Sequence, residues 1–223
     1  YFSDENINQY LQYHKHSIVY RYLTNSQTPP CSMQHGAYIK CSLAKSFKGK
    51  YPQDYVMDFK YDGNRYQIHR LEQSVIIFNR KGNVVTEQYP DIVKIVLDFD
   101  AHEFILDTEI YPVDSHGEPA EHKLLAKRVH SKDKEAAVRE CPVRLAIFDV
   151  LSYMDEPMIE YPYRIRMGHL KDFPSEHRAE MFDKDTLLEA AYNRAISRGF
   201  EGVMIKDLNA SYSVGKRSVS LLK

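Results

Sequence analysis

Three short stretches of alternating apolar and polar residues, 55–61, 65–71 and 74–80, are separated by breaks of only a few residues. Alternation with a period of two is typical of strands, and Asp62-Gly63 in the first break is a tight-turn signal. Connections this short limit adjacent strands to antiparallel pairing, because parallel strands need a much longer crossover. The sequence therefore predicts a meander of three strands at this point.

Further strands and helices follow without regular alternation. The pattern predicts strands over 103–113, 143–151, 201–207 and 216–223, and helices over 4–24, 90–98, 121–140, 163–173 and 185–198. This order predicts the α+β class, with antiparallel sheets flanked by helices, because a doubly wound sheet needs repeated βαβ units. The chain also lacks a G-x-x-x-x-G-K-[ST] motif and a G-x-G-x-x-G after a strand, which argues against P-loop and Rossmann nucleotide sites.

Composition limits the possible partners and compartments. The net charge of the 223 residues is −1, so a nucleic-acid surface would have to be a local patch. Cys31, Cys41 and Cys141 form no C-x-x-C pair, which argues against a zinc module or a disulfide framework and favours an intracellular, reducing compartment, cytoplasm or nucleus. No apolar run approaches membrane-spanning length, and the absence of an initiator Met suggests a fragment.

Lys60, in the stretch D-F-K-Y-D-G-N-R at 58–65, is a candidate nucleophile. Strand alternation points Asp58 and Lys60 to one side, while Met57 and Phe59 face a core. Lysine attacks only as the neutral amine, so the site must take its proton or supply cations nearby, for which Arg65 and Arg80 are candidates. The alternative is that Lys60 is a surface lysine at a hairpin. If Lys-x-Asp-Gly were the only motif in the chain, this alternative would be favoured.

Two other features acquire meaning only in combination. Asp107 and Glu109 share one face of the strand predicted over 103–113, which suggests cation or ribose binding or, alternatively, the exposed face of an edge strand. Phe148 lies in an apolar strand and is a core residue unless its context makes it a platform for base stacking.

The order of these features is far more specific than any one of them. After D-F-K-Y-D-G-N-R come F-N-R at 78–80, L-D-T-E at 106–109, A-I-F-D-V at 146–150, E-G-V-M-I-K at 201–206 and G-K-R-S-V-S-L-L-K at 215–223. Over about residues 40–223 this series resembles the nucleotidyltransferase motifs of ATP-dependent DNA ligases.

The resemblance implies a role for each matching residue. Lys60 would attack the α-phosphate of ATP and carry AMP. Asp58 would read the adenine amino group and Phe148 would stack on the adenine. The other implied nucleotide contacts are Arg65, Arg80, Glu109, Lys206, Arg217 and Lys223, of which the last three are phosphate-side cations. Glu109 and Glu201 would hold Mg²⁺, for which Mn²⁺ can substitute, and Arg164 and Arg166 match a basic run.

The chain departs from the family pattern at several positions. Asp58 replaces the usual Glu, Thr108 replaces a central Gly, Leu221 replaces a frequent Trp, and a second motif lysine should follow Lys223. Glu201 and Lys206 are five residues apart, so an ideal strand would place them on opposite faces. A bend at Gly202, or a strand that begins after Glu201, would bring both into one site.

The resemblance implies an ATP-dependent DNA ligase core that acts as a monomer on nicked double-stranded DNA, as in repair, replication and recombination. An RNA ligase, an mRNA-capping guanylyltransferase and a non-catalytic DNA-binding domain are the alternatives. We expect a helical segment over 1–35, as the tail of a preceding DNA-binding domain, and an adenylation domain over 36–223 without its C-terminal OB-fold domain. Because the basic residues at 45–50, 123–128, 164–166 and 216–217 are scattered in sequence, weak DNA binding is expected.

Overall fold

The computed structural model describes residues 35–223, so the helix predicted over 4–24 lies outside the described residues. Nine strands are described: β1 Leu43–Lys45, β2 Tyr55–Lys60, β3 Asn64–Leu71, β4 Ser74–Asn79, β5 Glu103–Pro112, β6 Val143–Tyr153, β7 Glu156–Pro157, β8 Gly202–Asp207 and β9 Arg217–Leu222. The α-helices in this range are α1 Pro90–Leu97, α2 Leu125–His130, α3 Lys134–Glu140, α4 Tyr163–Gly168 and α5 Leu188–Ser197. Short 3₁₀ turns span Thr86–Gln88, His122–Leu124, His169–Asp172 and Ser175–His177.

The strands form two sheets. The first has the order β1-β9-β8-β2, with β1 and β9 parallel and the other pairs antiparallel. The second has the order β4-β3-β5-β6-β7 and is antiparallel throughout. The α+β prediction with antiparallel sheets is therefore confirmed.

The prediction of a three-strand meander is wrong for its first strand. β3 and β4 form the expected hairpin, but β2 pairs with β8 in the other sheet, with Lys60 opposite Gly202. Asp62-Gly63 is accordingly a crossing between sheets. A Cβ on Gly63 would collide with the carbonyl of Ile110, so glycine allows the chain to pass close to β5.

Apolar faces of the two sheets bury separate clusters. On the first sheet Phe59 stacks on Phe200 with ring centroids 4.5 Å apart and meets the edge of Phe182 at 4.6 Å. Ala191 and Ala195 of α5 are fully buried against this cluster. Aromatic pairs of this kind add about 0.5–1.5 kcal/mol each beyond area burial, which explains why β2 packs here rather than beside β3.

The second cluster lies between α1 and the five-stranded sheet. It is built from fully buried residues, among them Ile68, Ile77, Ile92, Val96 and Leu106. α1 begins with Pro90 at its first turn and ends at Leu97, as predicted. β5 runs between β3 and β6, so the alternative of an exposed edge strand over 103–113 is wrong.

Helix boundaries differ from the predictions where local capping intervenes. The stretch 121–140 forms α2 and α3 rather than one helix, because the Asp133 carboxylate accepts from the backbone N–H of Ala136 at 2.9 Å and starts a second helix. α4 ends at Gly168, and a 3₁₀ turn completes the predicted 163–173 segment. Gly199, at φ +79°, follows the end of α5 at Ser197, where glycine readily adopts the left-handed conformation.

Within residues 35–223 no helix combines the length and apolar character needed to cross a bilayer.

Candidate active site

A cavity of about 700 Å³ opens between the two sheets. All ten residues to which the resemblance gives a nucleotide, metal or catalytic role line it: Asp58, Lys60, Arg65, Arg80, Glu109, Phe148, Glu201, Lys206, Arg217 and Lys223. They come from six strands and from the residues that flank them, so the fold collects a set that spans most of the described chain.

Lys60 ends β2 and forms an ion pair with Glu201. Glu201 lies just before β8, its backbone N–H donates to the Lys60 carbonyl at 2.9 Å, and the next residue, Gly202, has φ +151°. Since Glu201 precedes the strand, it reaches the same cavity as Lys206 despite the odd spacing, as expected. A carboxylate in contact with the Lys60 ammonium is positioned to accept its proton.

Asp58 and Lys206 form a buried pair at the inner end of the cavity. The Lys206 Nζ lies 2.5 Å from Asp58 Oδ2 and 4.9 Å from the centre of the Phe148 ring, and it also donates to the Tyr163 hydroxyl at 3.2 Å. Burial lowers the pKa of Lys206, but the Asp58 carboxylate outweighs it and the pKa rises. Lys206 thus lies beside the residue expected to stack on the base, and its assignment as a phosphate-side cation stays a prediction.

The other oxygen of Asp58 is unpaired. Asp58 is 2% exposed, and its Oδ1 has no hydrogen-bond partner within the described residues. A buried acceptor without a donor is unfavourable, so this oxygen is suited to a donor supplied by a ligand. The sequence pointed to Asp58 but could not show that one oxygen is occupied by Lys206 and the other is available.

Arg65 is held by protein groups. Its guanidinium donates to both carboxylate oxygens of Asp107, to the Ser42 carbonyl at 2.5 Å and to the Tyr212 hydroxyl at 3.1 Å. Tyr212 in turn donates to Asp107 at 2.6 Å. Asp107 is fully buried and does not line the cavity, so the expectation that Asp107 and Glu109 serve one site is wrong for Asp107. The sequence analysis gave no role to Tyr212, which lies just before the motif at 215–223.

Glu109 is the carboxylate of β5 that enters the cavity. Burial raises its pKa to about 8, and the charges of Asp107 and Glu201 add to the rise, although Arg65 and Lys60 oppose it. A carboxyl in this environment gains from a nearby cation, which would offset the repulsion by the other carboxylates. Glu109 with Glu201 therefore fits a divalent cation, although the metal and nucleotide assignments stay predictions.

Residues 35–223 contain no cluster of three or more His, Cys, Asp or Glu side chains that could hold a metal ion. Two carboxylates are nevertheless enough for Mg²⁺ when substrate phosphates and water complete its shell. A cation site that is completed by a triphosphate matches this arrangement better than a closed protein cage.

The remaining cations divide into two groups. Arg80, Arg217 and Lys223 are exposed at the edge of the cavity, and Arg217 donates to the Ala44 carbonyl at 2.7 Å. The basic run expected at Arg164 and Arg166 lies outside this cavity. Arg166 is buried against Asp149 at 2.8 Å and acts within the protein, whereas Arg164 is exposed and pairs with Asp54 at 2.6 Å.

Comparison with known proteins agrees with this geometry. The sequence model of the family described as "ATP dependent DNA ligase domain" matches residues 37–223. DNA ligases of Saccharolobus islandicus (strain L.S.2.15 / Lassen #1) and Acidianus ambivalens are each 34% identical over 173 and 172 residues, covering 73% of this chain. The chain spans 29% of the length of these relatives.

Solved structures show the same fold. Mycobacterial DNA ligase D complexed with ATP and MES superposes with a TM-score of 0.66 at 23% identity, covering 83% of this chain and 59% of that one. Chlorella virus DNA ligase-adenylate gives a TM-score of 0.55 at 17% identity, covering 84% of this chain and 69% of that one. With the family match over nearly all described residues, these comparisons show that the chain belongs to the ATP-dependent DNA ligase domain family.

Proposed function

We propose that this chain is the adenylation core of an ATP-dependent DNA ligase. The observation that carries the proposal is the Lys60–Glu201 contact inside a cavity that also collects Asp58, Glu109 and Phe148. A lysine on a strand end, next to a carboxylate and in a cavity edged by cations, suits nucleophilic attack on a nucleotide phosphate.

In the first step Lys60 transfers its proton to Glu201 and attacks the α-phosphorus of ATP as the neutral amine. A P–N bond forms, the bond between the α-phosphorus and its bridging oxygen breaks, and pyrophosphate leaves. AMP then passes to the 5′-phosphate of a nick, which returns the Lys60 amine, and the 3′-hydroxyl displaces AMP to form the phosphodiester bond. Exposed Arg80, Arg217 and Lys223 would neutralise the phosphates during these transfers.

Two features of the cavity support adenine and Mg²⁺ as its ligands. Asp58 Oδ1, unpaired within the described residues, would accept a hydrogen bond from the adenine amino group while the base stacks on Phe148. Glu109 and Glu201 would hold Mg²⁺, which supplies neutralisation of the triphosphate charge. Lys206 would orient Asp58 through their ion pair, and it also lines the cavity in which the resemblance implies a phosphate contact for it.

The later steps require nicked duplex DNA as partner, with the protein acting as a monomer. Since the chain spans 29% of the matched ligases, the complete sealing reaction belongs to the proposal and would draw on the rest of a ligase.

Intact mass after incubation with ATP and Mg²⁺ tests the proposal. The wild-type chain should gain one AMP that is stable to base and labile to acid, and peptide mapping should locate it on Lys60. Lys60→Arg should gain none, whereas Lys132→Arg, an exposed lysine outside the cavity, should behave as wild type. AMP on another lysine would refute the assignment of Lys60, and equal use of GTP would favour a capping guanylyltransferase.

A further inference from the structure

The fold brings together two basic segments that are far apart in sequence. β1 pairs in parallel with β9, so that Leu43 lies opposite Arg217 and Lys45 opposite Leu222. Backbone hydrogen bonds continue the contact on both sides, from Gly215 N to Lys40 O at 3.0 Å and from Phe47 N to Lys223 O at 2.8 Å. The residues at 45–50 and 216–217, which the sequence presented as scattered, therefore form one surface.

We name this surface the basic edge and define it by Lys40, Lys45, Lys48, Lys50, Lys216, Arg217 and Lys223. All seven side chains are exposed, and none belongs to an ion pair within residues 35–223. No Asp or Glu occurs in 40–53 or in 208–223. In a chain of net charge −1, this is a local concentration of positive charge that its own segments leave uncompensated.

The basic edge is continuous with the candidate active site. Arg217 and Lys223 line the cavity that holds Lys60. Lys45 ends the outermost strand, Lys48 and Lys50 lie in the loop that follows it, and none of these three lines the cavity. The six-residue β9 extends about 20 Å, which matches the axial length of about six base pairs. A polyanion lying along this edge would have its end at the mouth of the cavity.

We propose that the basic edge holds the phosphate backbone of the duplex next to the nick while the 5′-phosphate enters the Lys60 cavity. The proposal rests on the proposed ligase function. The partner is inferred from charge: regularly spaced phosphates suit a strip of exposed lysines, and each neutralised phosphate releases counterions that favour binding. The expectation that scattered basic residues give weak DNA binding loses its basis for these two segments.

A second explanation for lysines here is protection of the sheet edge. β1 is an edge strand, and charged residues on such strands prevent pairing with other molecules. The two explanations make different predictions: loss of edge protection would promote self-association without changing affinity for DNA, whereas loss of phosphate contacts would change both affinity and its salt dependence.

The test is a triple variant, Lys45→Gln/Lys48→Gln/Lys50→Gln, compared with Lys132→Gln/Lys171→Gln/Lys184→Gln. The control removes three exposed lysines outside both segments and outside the cavity. Fluorescence anisotropy with a labelled nicked duplex carrying a 5′-phosphate would be measured at several salt concentrations. The basic-edge variant should bind about tenfold or more weakly, and its plot of log affinity against log salt should be less steep by about 2 to 3.

Self-adenylation by intact mass separates the two proposals, since the substituted lysines do not line the cavity. Normal AMP transfer with weakened DNA binding supports the basic edge. Unchanged affinity and slope, an equal loss in the control variant, or no binding of nicked duplex by the wild type even at low salt would overturn it. Self-association with unchanged affinity would assign the lysines to edge protection. Absence of AMP transfer in the wild type would instead contradict the proposed function.

Discussion

Glu109→Gln should make the protein less sensitive to pH. In the wild type, burial raises the pKa of Glu109 from an ordinary 4.5 to about 8. Between these two values the unfolded chain has released this proton while the folded chain retains it. The folded state is therefore progressively destabilised as pH rises through this window, and the loss is complete above about pH 8.

The structure bounds the size of this effect. A shift from 4.5 to about 8 corresponds to about 5 kcal/mol at full ionisation. Glu109 is only partly buried and faces an open cavity, where water and ions screen its charge, so we expect about 1–2 kcal/mol. Glutamine has nearly the shape of the protonated acid and carries no charge, so it should avoid this loss.

Urea denaturation at pH 5 and pH 8.5, without divalent cations, measures the prediction. The two proteins should be equally stable at pH 5, and Glu109→Gln should be more stable at pH 8.5. Glu160→Gln, at an exposed carboxyl outside the cavity, is the control and should follow the wild type. Adding Mg²⁺ at pH 8.5 should stabilise the wild type more than Glu109→Gln. Parallel pH curves for wild type and Glu109→Gln would refute the reasoning.

Three further predictions concern neighbouring groups. Phe148→Ala should weaken ATP binding, measured by calorimetry, while leaving the Mg²⁺ concentration required for adenylation unchanged; a shifted Mg²⁺ requirement would contradict the stacking role. Lys206→Met should lower the free energy of unfolding by about 3–5 kcal/mol because it strands the buried Asp58 carboxylate, and adding Asp58→Asn should recover most of this in urea denaturation. Tyr212→Phe should cost about 1–3 kcal/mol in the same assay, since its hydroxyl joins three hydrogen bonds; no loss would mean that water replaces it.

Structural features that depend on residues close together in the sequence could be predicted. Period-two alternation located β3, β4, β5 and β6 to within a few residues, and Pro90 located the start of α1. The order of the motifs identified ten residues that the structure brings to one cavity. Both predictions rest on short stretches of sequence. Residues within such a stretch determine its local conformation or form a functional motif.

The sequence did not predict which residues far apart in the chain form ion pairs or which strands pair with each other. Asp58 and Lys206 are 148 residues apart, and no local pattern shows that they pair instead of facing separate parts of a nucleotide. The same holds for Arg65, whose charge is satisfied by Asp107, 42 residues away. β2 could have paired with β3 on local grounds, but the aromatic cluster around Phe59 favours the other sheet.

The strand order β1-β9-β8-β2 also bears on synthesis, because it joins the first two strands of the described chain to the last two. During translation β1 and β2 emerge early but have no partners until residues 202–222 have left the ribosome. The five-stranded sheet, by contrast, is built from residues 64–157 and can assemble first. Pairing at such long separation is slow and leaves strand edges exposed while the chain waits. Lys60 can therefore meet Glu201 only after the segment around residue 201 has been synthesised, so the candidate active site is completed late in translation.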